Sequence, residues 1–301
     1  MKKILAVGSL AFDSLKTPSG EAERVLGGSC NYFSLSASFF TGLEIVGVVG
    51  EDFPEAHLQE LGRRGVDTKG VQRAKGKTFH WVGEYGKDLN EAITKATHLN
   101  VFEHFNPEIP SDYRSAEYVF LGNIAPALQL RVLDQVKKPR LIALDSMNFW
   151  INGARGELLK VLERIDLVTI NEGEAKLLAG ENNVVLAAEK ILSMGPKCVV
   201  VKRGEYGSFL FFENDIFSAP AVPIRRVVDP TGAGDTFAGG LMGWLARSGA
   251  GLDWKTLKQA VLHGSVMASF TVEDFGFQRL LRLEKSEIER RYDSLLKVMA
   301  P

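Results

Sequence analysis

The sequence predicts an α/β fold in which a mostly parallel central sheet is covered by helices on both faces. Short apolar runs rich in β-branched residues alternate with segments of helical periodicity through most of the 301 residues. The strand-like runs are apolar at nearly every position, which is typical of parallel strands buried on both faces. No internal repeat or low-complexity linker interrupts this alternation. We therefore expect one domain that spans residues 1–301.

The elements follow from local periodicity. The strands expected in the central sheet are Ile4–Val7, Ile45–Val49, Tyr118–Leu121, Leu141–Leu144, Leu167–Ile170 and Cys198–Val201. Apolar residues at helical spacing predict intervening helices over Phe53–Arg64, Leu128–Val136, Glu157–Arg164 and Val184–Met194. A turn-forming Glu-Asn-Asp triplet predicts a hairpin between Phe209–Phe212 and Ile216–Ala219. The last third then predicts helices over Ala233–Arg247, Trp254–Phe270 and Lys285–Met299.

One region departs from this alternation. Residues 76–105 contain an aromatic run of period two, which ends near Tyr85 and is followed by the turn-like Gly86–Asn90. Such a pattern is typical of half-buried antiparallel strands. The gap between Asp13 and Gly27 is short and leaves room for little more than a hairpin. We expect residues 14–26 and 76–105 to form a small β-structure beside the main sheet.

Composition excludes several classes of protein. The chain is 45% hydrophobic and carries a formal net charge of −1, which gives no reason to expect a nucleic acid or an anionic membrane as partner. No apolar stretch reaches membrane-spanning length, and the N-terminus resembles a buried strand more than a signal peptide. The two cysteines are far apart, so neither a disulfide framework nor a zinc site is expected. A reducing cytoplasmic location follows.

The stretch Asp229–Gly240 carries the strongest chemical signal. It places a glycine turn, Gly232-Ala233-Gly234, directly before a predicted helix, with Asp235 at the junction. The first N–H groups of a helix lack intrahelical acceptors, and the helix dipole adds positive charge there. Such a turn suits a phosphoryl group, and a carboxylate beside it suits removal of a proton from an alcohol. A helix start built of small residues for close packing is the competing interpretation.

The heptapeptide Asp229-Pro230-Thr231-Gly232-Ala233-Gly234-Asp235 resembles the C-terminal signature of the PfkB (ribokinase-like) carbohydrate kinases. The length of the match, with the aspartate in register, favours the kinase interpretation over the packing one. The resemblance implies a ribokinase-like fold and transfer of the γ-phosphoryl group of ATP to an alcohol of a sugar-like molecule. It implies Asp235 as general base, the N–H groups of residues 232–234 as anion hole, and Mg²⁺ as cofactor.

The acceptor side is expected near the N-terminus. Asp13 follows the first predicted strand, and Gly27-Gly28 precede a helical run, where glycines allow close backbone approach to a ligand. An ordinary turn or helix-cap aspartate is the alternative. These residues resemble the family's N-terminal signature, which grips the substrate. Where ribokinases usually have asparagine this chain has Tyr32, and Asn31 lies one position earlier; we expect both to contact the substrate, Tyr32 by stacking and hydrogen bonding.

Two further motifs follow predicted strands and resemble the family's nucleotide side. Asn171-Glu172-Gly173-Glu174 resembles an N-x-x-E motif, in which Glu174 binds Mg²⁺ through water. A capping box formed by Asn171 and Glu174 is the structural alternative, and both roles can coexist. Lys202 and Gly204 begin a segment that resembles a K-x-G-x-x-G turn beside the nucleotide. Asp145, after another strand, resembles part of a family motif that lines the substrate and phosphate channel, and it is a weaker candidate.

Three more residues are assigned through the resemblance. Thr231 is expected on the nucleotide side, and Asp229 in a monovalent cation site with carbonyls from residues 268–276, so K⁺ activation is a hypothesis. His263 lies where the family's adenine pocket is expected, although a lone histidine on an apolar helix is more often a core residue. The resemblance also implies that the small β-structure is a lid over the substrate, and we expect this lid to be minimal. Because large lids of the family often form dimer interfaces, both monomer and homodimer remain open.

Three other functions compete with that of a sugar kinase. A nucleoside kinase is the nearest, because Tyr32 and the lid aromatics Phe79, Trp81 and Tyr85 could stack on a base as well as on a sugar. A non-catalytic sugar or nucleotide sensor is an alternative of another class, but a sensor need not retain the base and the glycine turn. A dinucleotide-dependent oxidoreductase is rejected, because Gly8 stands alone where a G-x-G-x-x-G motif is needed.

Overall fold

The computed structural model describes residues 2–90 and 92–299. In chain order its strands are β1 (Lys3–Val7), β2 (Ala11–Thr17), β3 (Gly20–Gly27), β4 (Gly42–Val49), β5 (Val66–Arg73), β6 (Phe79–Tyr85), β7 (Ala92–His98), β8 (Tyr118–Leu121), β9 (Leu141–Asp145), β10 (Leu167–Asn171), β11 (Cys198–Lys202), β12 (Ser208–Phe212) and β13 (Asp215–Ala219). The α-helices are α1 (Ser29–Ala37), α2 (Glu55–Arg63), α3 (Pro126–Leu133), α4 (Asn148–Gly153), α5 (Arg155–Leu162), α6 (Glu172–Ala179), α7 (Val184–Ser193), α8 (Ala233–Ser248), α9 (Trp254–Thr271), α10 (Gln278–Leu281) and α11 (Lys285–Met299).

The central sheet has nine strands in the order β13-β12-β11-β10-β9-β8-β1-β4-β5. The pairs from β11 to β5 are parallel, whereas the β11–β12 and β12–β13 pairs are antiparallel. Every strand predicted for the body is present, including the β12–β13 hairpin. The sequence pattern did not predict β5, an edge strand in which only Val66 and Gly70 are buried, because this strand is far less apolar than the central strands.

Helices cover both faces of this sheet, as predicted. Along β1 the side chains alternate, so that Ile4 and Ala6 belong to one apolar cluster and Leu5 and Val7 to the other. The first cluster is completed by α1, α8 and α9, and the second by α3, α5, α6 and α7. Burial of both faces explains why the central strands are apolar at successive positions. No helix in the described ranges is long and apolar enough to cross a membrane.

A separate four-stranded sheet, called here the small sheet, has the order β3-β2-β6-β7. Its β2–β6 pair is parallel and its two outer pairs are antiparallel hairpins. It differs from the expectation in two ways. The strand β2 begins at Ala11, so Asp13 lies inside the small sheet and not at the end of β1. With four strands the sheet is also larger than a minimal lid, since β2 and β3 pair along nearly their whole length.

Three polar residues end adjacent strands of the central sheet. Asp145 is the last residue of β9, Asn171 of β10 and Lys202 of β11. Because these strands are parallel neighbours, their carboxyl ends lie at one edge of the sheet. Helix α8 begins at Ala233, within the glycine turn and directly after Gly232. Side-chain contacts between Lys202 and this turn bring the two regions together, as described below.

Candidate active site

The glycine turn depends on the conformation of one residue. Gly232 is left-handed, with φ 72° and ψ 2°, and precedes the first residue of α8. A Cβ atom on Gly232 would overlap with the ring of Tyr32, so the position requires glycine for its conformation and for space. The Ala233 N–H is bonded to the Pro230 carbonyl at 3.1 Å. The predicted anion hole is therefore smaller than expected, because the Ala233 amide already closes the turn.

A lysine lies beside this turn and is paired with a buried carboxylate. The Nζ atom of Lys202 is 2.6 Å from Oδ2 of Asp145, whose exposure is 4%. The same Nζ lies 3.0 Å from the place that a Cβ atom on Gly234 would take. Gly234 thus leaves room for the ammonium group at the start of α8. Asp145, a minor candidate from the sequence, is one of the central residues of the site.

The electrostatics of this cluster favour carboxylates that hold their protons more tightly than usual. Burial raises the pKa of Glu174 to about 7, and the nearby charge of Lys202 opposes the shift. Burial and the charge of Asp145 raise the pKa of Asp235 as well, while Lys202 lowers it. Burial lowers the pKa of Lys202, but the charges of Asp145 and Glu174 outweigh it and raise the pKa overall. Lys202 is therefore charged at neutral pH.

Asn171 and Glu174 form the capping box that the sequence offered as an alternative. The Glu174 N–H donates to Oδ1 of Asn171 at 2.7 Å, and the Asn171 N–H donates to Oε2 of Glu174 at 3.0 Å. The box fixes the start of α6 and the position of the Glu174 carboxylate. It occupies one carboxylate oxygen with a backbone amide, and Oε1 remains for another ligand. A structural role and a metal-organising role are thus compatible.

On the other side of the site, Asp13 is packed against the glycine pair. A Cβ atom on Gly27 would overlap with the Asp13 carboxylate, and Gly28 has a positive φ of 93°. The backbone of Gly28 lies near the Asp13 carboxylate and lowers its pKa slightly. Burial raises the pKa of Asp13 to about 8, and the charges of Asp229 and Asp235 add to this shift. The glycine pair therefore lets a buried carboxylate lie directly against the backbone at the start of α1.

Tyr32 contacts the glycine turn with its ring. Gly232 lies over the ring, and Phe277 meets it edge-on with centroids 5.4 Å apart. The expectation that Tyr32 stacks on a substrate is therefore wrong for the ring face that Gly232 covers. The hydroxyl group is buried and has no hydrogen-bond partner within the described ranges. Burial and nearby carboxylates raise the pKa of Tyr32 well above its usual value, so the hydroxyl remains a donor.

Asn31 supports the glycine pair from behind instead of facing an open site. Its side-chain Nδ2 donates to the Gly27 carbonyl at 2.6 Å, and its Oδ1 lies 3.0 Å from Nε2 of His57. Asn31 is fully buried, and these two contacts occupy both its amide nitrogen and its amide oxygen. The sequence analysis missed His57, which stacks on Phe277 and whose pKa is lowered by burial to about 4. No local motif marks it, because only tertiary packing places α2 there.

Asp229 joins the glycine turn to the loop after α9. Its Oδ1 accepts the Thr231 N–H and its Oδ2 accepts the Gly276 N–H, both at 2.9 Å. The carboxylate is fully buried and already binds two amides. The Thr231 hydroxyl lies 3.1 Å from the hydroxyl of Tyr85 in the small sheet. Within residues 2–90 and 92–299, no three His, Cys, Asp or Glu side chains form a metal cluster.

His263 lies in an aromatic stack. Its ring is parallel to Trp244 at 4.0 Å and to Tyr292 at 4.3 Å, with Phe40 at its edge. Two parallel rings at these distances cannot share one face of an imidazole, so both faces are covered. Burial lowers the pKa of His263 to about 4. The assignment of this side chain to an adenine pocket is wrong, and the core interpretation applies.

The chain is similar to known proteins in sequence and in fold. The sequence matches the family described as pfkB family carbohydrate kinase over residues 1–282. A cytidine kinase of Thermococcus kodakarensis is 31% identical over 254 residues, which cover 82% of this chain and 90% of the relative. A Burkholderia thailandensis nucleoside kinase solved with inosine superposes with a TM-score of 0.80 at 21% identity, covering 98% of this chain and 97% of the other. An E. coli protein described as a ribokinase II, solved with ATP and Mg²⁺, gives a TM-score of 0.78 at 21% identity, with 98% and 100% coverage.

The chain therefore belongs to the pfkB family of carbohydrate kinases. Its large, mostly parallel sheet with helices on both faces is the ribokinase fold. The protein is a phosphotransferase with an alcohol acceptor, a kinase of sugars or nucleosides. The prediction of the family, the fold and the enzyme class from the sequence is confirmed.

Proposed function

We propose that this kinase transfers the γ-phosphoryl group of ATP to the ribose hydroxymethyl group of a nucleoside. The arrangement that carries the proposal is Asp235 at the start of α8, next to the glycine turn, with Lys202 beside Gly234. The choice of a nucleoside over a free sugar is supported by the cytidine kinase relative, which is 31% identical over 82% of this chain. The proposal covers one kinase domain, residues 1–301, in which the small sheet is the lid.

Asp235 is the general base of this reaction. Its raised pKa makes the carboxylate a stronger base than an ordinary aspartate, while a large deprotonated fraction remains near neutral pH. The proton passes from the acceptor hydroxyl to Asp235 as the oxygen attacks the γ-phosphorus, and the bond to the ADP oxygen breaks. Lys202 and the free amides at the start of α8 stabilise the charge on the transferred group.

The acceptor lies between the glycine turn and the small sheet. The Asp13 carboxylate accepts hydrogen bonds from ribose hydroxyls, beside Gly27 and Gly28. The Tyr32 hydroxyl, buried and without a partner among the described residues, supplies a further hydrogen bond to the sugar. Asn31 holds the glycine pair in place through the Gly27 carbonyl. Closure of the small sheet excludes water, which otherwise competes as phosphoryl acceptor.

Cations are assigned to two places. The charges of Asp145, Glu174 and Asp235 all act on a single lysine, Lys202, so a divalent cation would balance the excess negative charge. Glu174, whose Oε1 is not used by the capping box, would hold Mg²⁺ through water, and Mg²⁺ would neutralise the phosphates of ATP. Asp229 and the loop that ends at Gly276 would hold K⁺. Gly204, Lys202, Asn171 and Thr231 form the nucleotide side of the site.

A free sugar or polyol is the second candidate acceptor, because the family is described as carbohydrate kinases. The same contacts of Asp13 and Tyr32 would serve any vicinal hydroxyl pair. The two acceptors differ in whether a base is present, and this difference can be measured directly.

The first test is ADP production with ATP and Mg²⁺ in the presence of cytidine, other nucleosides, ribose and inositol, with and without K⁺. We expect kcat/KM for at least one nucleoside to exceed that for ribose. Strong turnover of ribose or a polyol, together with no turnover of any nucleoside, would contradict the nucleoside proposal and favour the free sugar or polyol as acceptor. Stimulation by K⁺ over Na⁺ at equal ionic strength tests the role of Asp229.

The Tyr32 hydroxyl gives a second prediction. Tyr32→Phe keeps the ring that packs on Gly232 and removes one hydrogen bond, so we expect KM for the acceptor to rise about 3- to 10-fold with KM for ATP unchanged. Deoxynucleosides that lack the bonded hydroxyl should show a smaller effect of the substitution than the parent nucleoside, which a double-mutant cycle measures. Tyr113→Phe, at a buried tyrosine of the other apolar cluster, is the matched control. An unchanged acceptor KM in Tyr32→Phe contradicts the assignment.

A further inference from the structure

One hairpin of the small sheet contacts both sides of the candidate active site. At the end of β6 the Tyr85 hydroxyl lies 3.1 Å from the hydroxyl of Thr231, just before the glycine turn. Five positions later in the same hairpin, the amide oxygen of Asn90 fills the space that a side chain on Gly204 would occupy. Gly204 has a positive φ of 56° and follows Lys202 by two residues. The hairpin therefore reaches from the acceptor side to the loop proposed for the nucleotide.

The β2–β3 hairpin of the small sheet contacts a different part of the body. Two of its contacts with the body are made by Thr17 and Ser19, whose hydroxyls donate to the carbonyls of Val228 at 2.8 Å and Val227 at 3.1 Å. These carbonyls lead into Asp229 and the glycine turn. The two hairpins thus contact different parts of the site. The β2–β3 hairpin contacts the segment before the glycine turn, whereas the β6–β7 hairpin contacts both Thr231 and Gly204.

The position of Asn90 is fixed within its own turn. Its backbone N–H and its side-chain Nδ2 both donate to Oδ1 of Asp88, at 2.9 and 3.2 Å. These bonds leave one Nδ2 hydrogen of the carboxamide available at the surface of the loop that contains Gly204. A carboxamide held in this way can donate to a ribose hydroxyl or to a phosphate oxygen.

We propose that Asn90 is a nucleotide-positioning residue, so that the β6–β7 hairpin closes over the phosphoryl donor as well as the acceptor. The inference rests on the proposed placement of ATP beside Lys202 and Gly204. In this arrangement the lid closes onto the bound nucleotide as well as onto the protein. Occupancy of the donor site then stabilises the closed lid over the acceptor.

The test compares KM for ATP and for the acceptor in Asn90→Ala, Asn90→Asp and Lys95→Ala. Asn90 is exposed, and its replacement is not expected to disturb folding. We expect Asn90→Ala to raise KM for ATP about 3- to 10-fold with KM for the acceptor unchanged. Asn90→Asp should raise it further, because a carboxylate near the phosphates repels them. Lys95→Ala changes an exposed ion pair with Glu84 elsewhere in the same hairpin and should change neither constant.

Lys202→Met serves as the reference for the donor site. A raised KM for ATP in Lys202→Met together with an unchanged or lowered one in Asn90→Ala overturns the inference and leaves the proposed function intact. Equal effects of alanine and aspartate at Asn90 also overturn it, because they indicate a contact with Gly204 alone. If Lys202→Met leaves KM for ATP unchanged, the placement of the nucleotide fails, and the inference fails with it.

Discussion

Asp235→Asn should lower kcat by a factor on the order of 10² to 10⁴, which is the usual contribution of a positioned general base. The amide keeps the size and most contacts of the carboxylate at the start of α8, but it cannot take the proton from the acceptor. Nucleotide affinity should be largely retained, because Lys202 and the amides that follow the glycine turn are unchanged. Single-turnover rates and the Kd of a non-hydrolysable ATP analogue measure the two quantities separately.

The control for this variant is Asp215→Asn, at an exposed residue of the β12–β13 hairpin. It makes the same chemical change far from the glycine turn and should leave kcat unaltered. Near-normal turnover in Asp235→Asn would falsify the assignment of the base.

The pH dependence gives a second readout of the same residue. Asp235 acts as its carboxylate, so kcat/KM should fall as the pH drops through its pKa. Because burial and the charge of Asp145 raise that pKa, the acid limb should lie above the range of an ordinary aspartate. In Asp235→Asn the residual activity should lose this limb. A limb that persists unchanged in the variant belongs to another group, and Glu174, whose pKa burial raises to about 7, is the first candidate.

Among substitutions that add a single methyl group to the site, Gly232→Ala should lower activity the most. A left-handed conformation costs a residue with a Cβ atom about 1 to 2 kcal/mol. At this position the Cβ atom would also overlap with the Tyr32 ring, so the glycine turn or the ring must move. Displacement of the amides from the transferred phosphoryl group should lower kcat by at least about 10²-fold, the usual effect of losing one oxyanion-stabilising donor.

The same helix supplies the matched control. Gly249, which ends α8, is left-handed as well, with φ 64° and ψ 6°. A Cβ atom there meets nothing closer than the Lys2 side chain at 3.4 Å. Gly249→Ala therefore imposes a similar backbone strain without the clash, and it should lower stability to denaturant while kcat is retained.

Replacement of Tyr32 by a smaller residue in the Gly232→Ala background isolates the clash. Partial recovery of kcat in Gly232→Ala/Tyr32→Leu relative to Gly232→Ala is expected. If Gly232→Ala and Gly249→Ala have equal effects on both stability and kcat, the contact with Tyr32 carries no functional weight.

Much of the fold follows from the sequence because the signals for it are local. The apolar strands around Val7, Leu121 and Val201 predict a sheet buried on both faces, and the structure confirms it. Edge strands give weaker signals, and β5 was missed because exposed positions dilute its apolar pattern. The full extent of β2, an inner strand of the small sheet, was missed because four of its seven residues are polar, although most residues of the strand are buried. The placement of Asp13 at the end of β1 was wrong for this reason.

The sequence alone determined the family, the kinase chemistry and the candidate base, because the Asp229–Asp235 motif combines a glycine turn, a helix start and a carboxylate within a few residues. Only the tertiary structure decided which side chains meet that motif. It placed Lys202 on Asp145, covered the ring of Tyr32 with Gly232, and enclosed His263 in an aromatic stack. The physical reason is that periodicity and turn chemistry act between near neighbours in the chain, whereas these contacts join residues that only the packing of separate elements brings together.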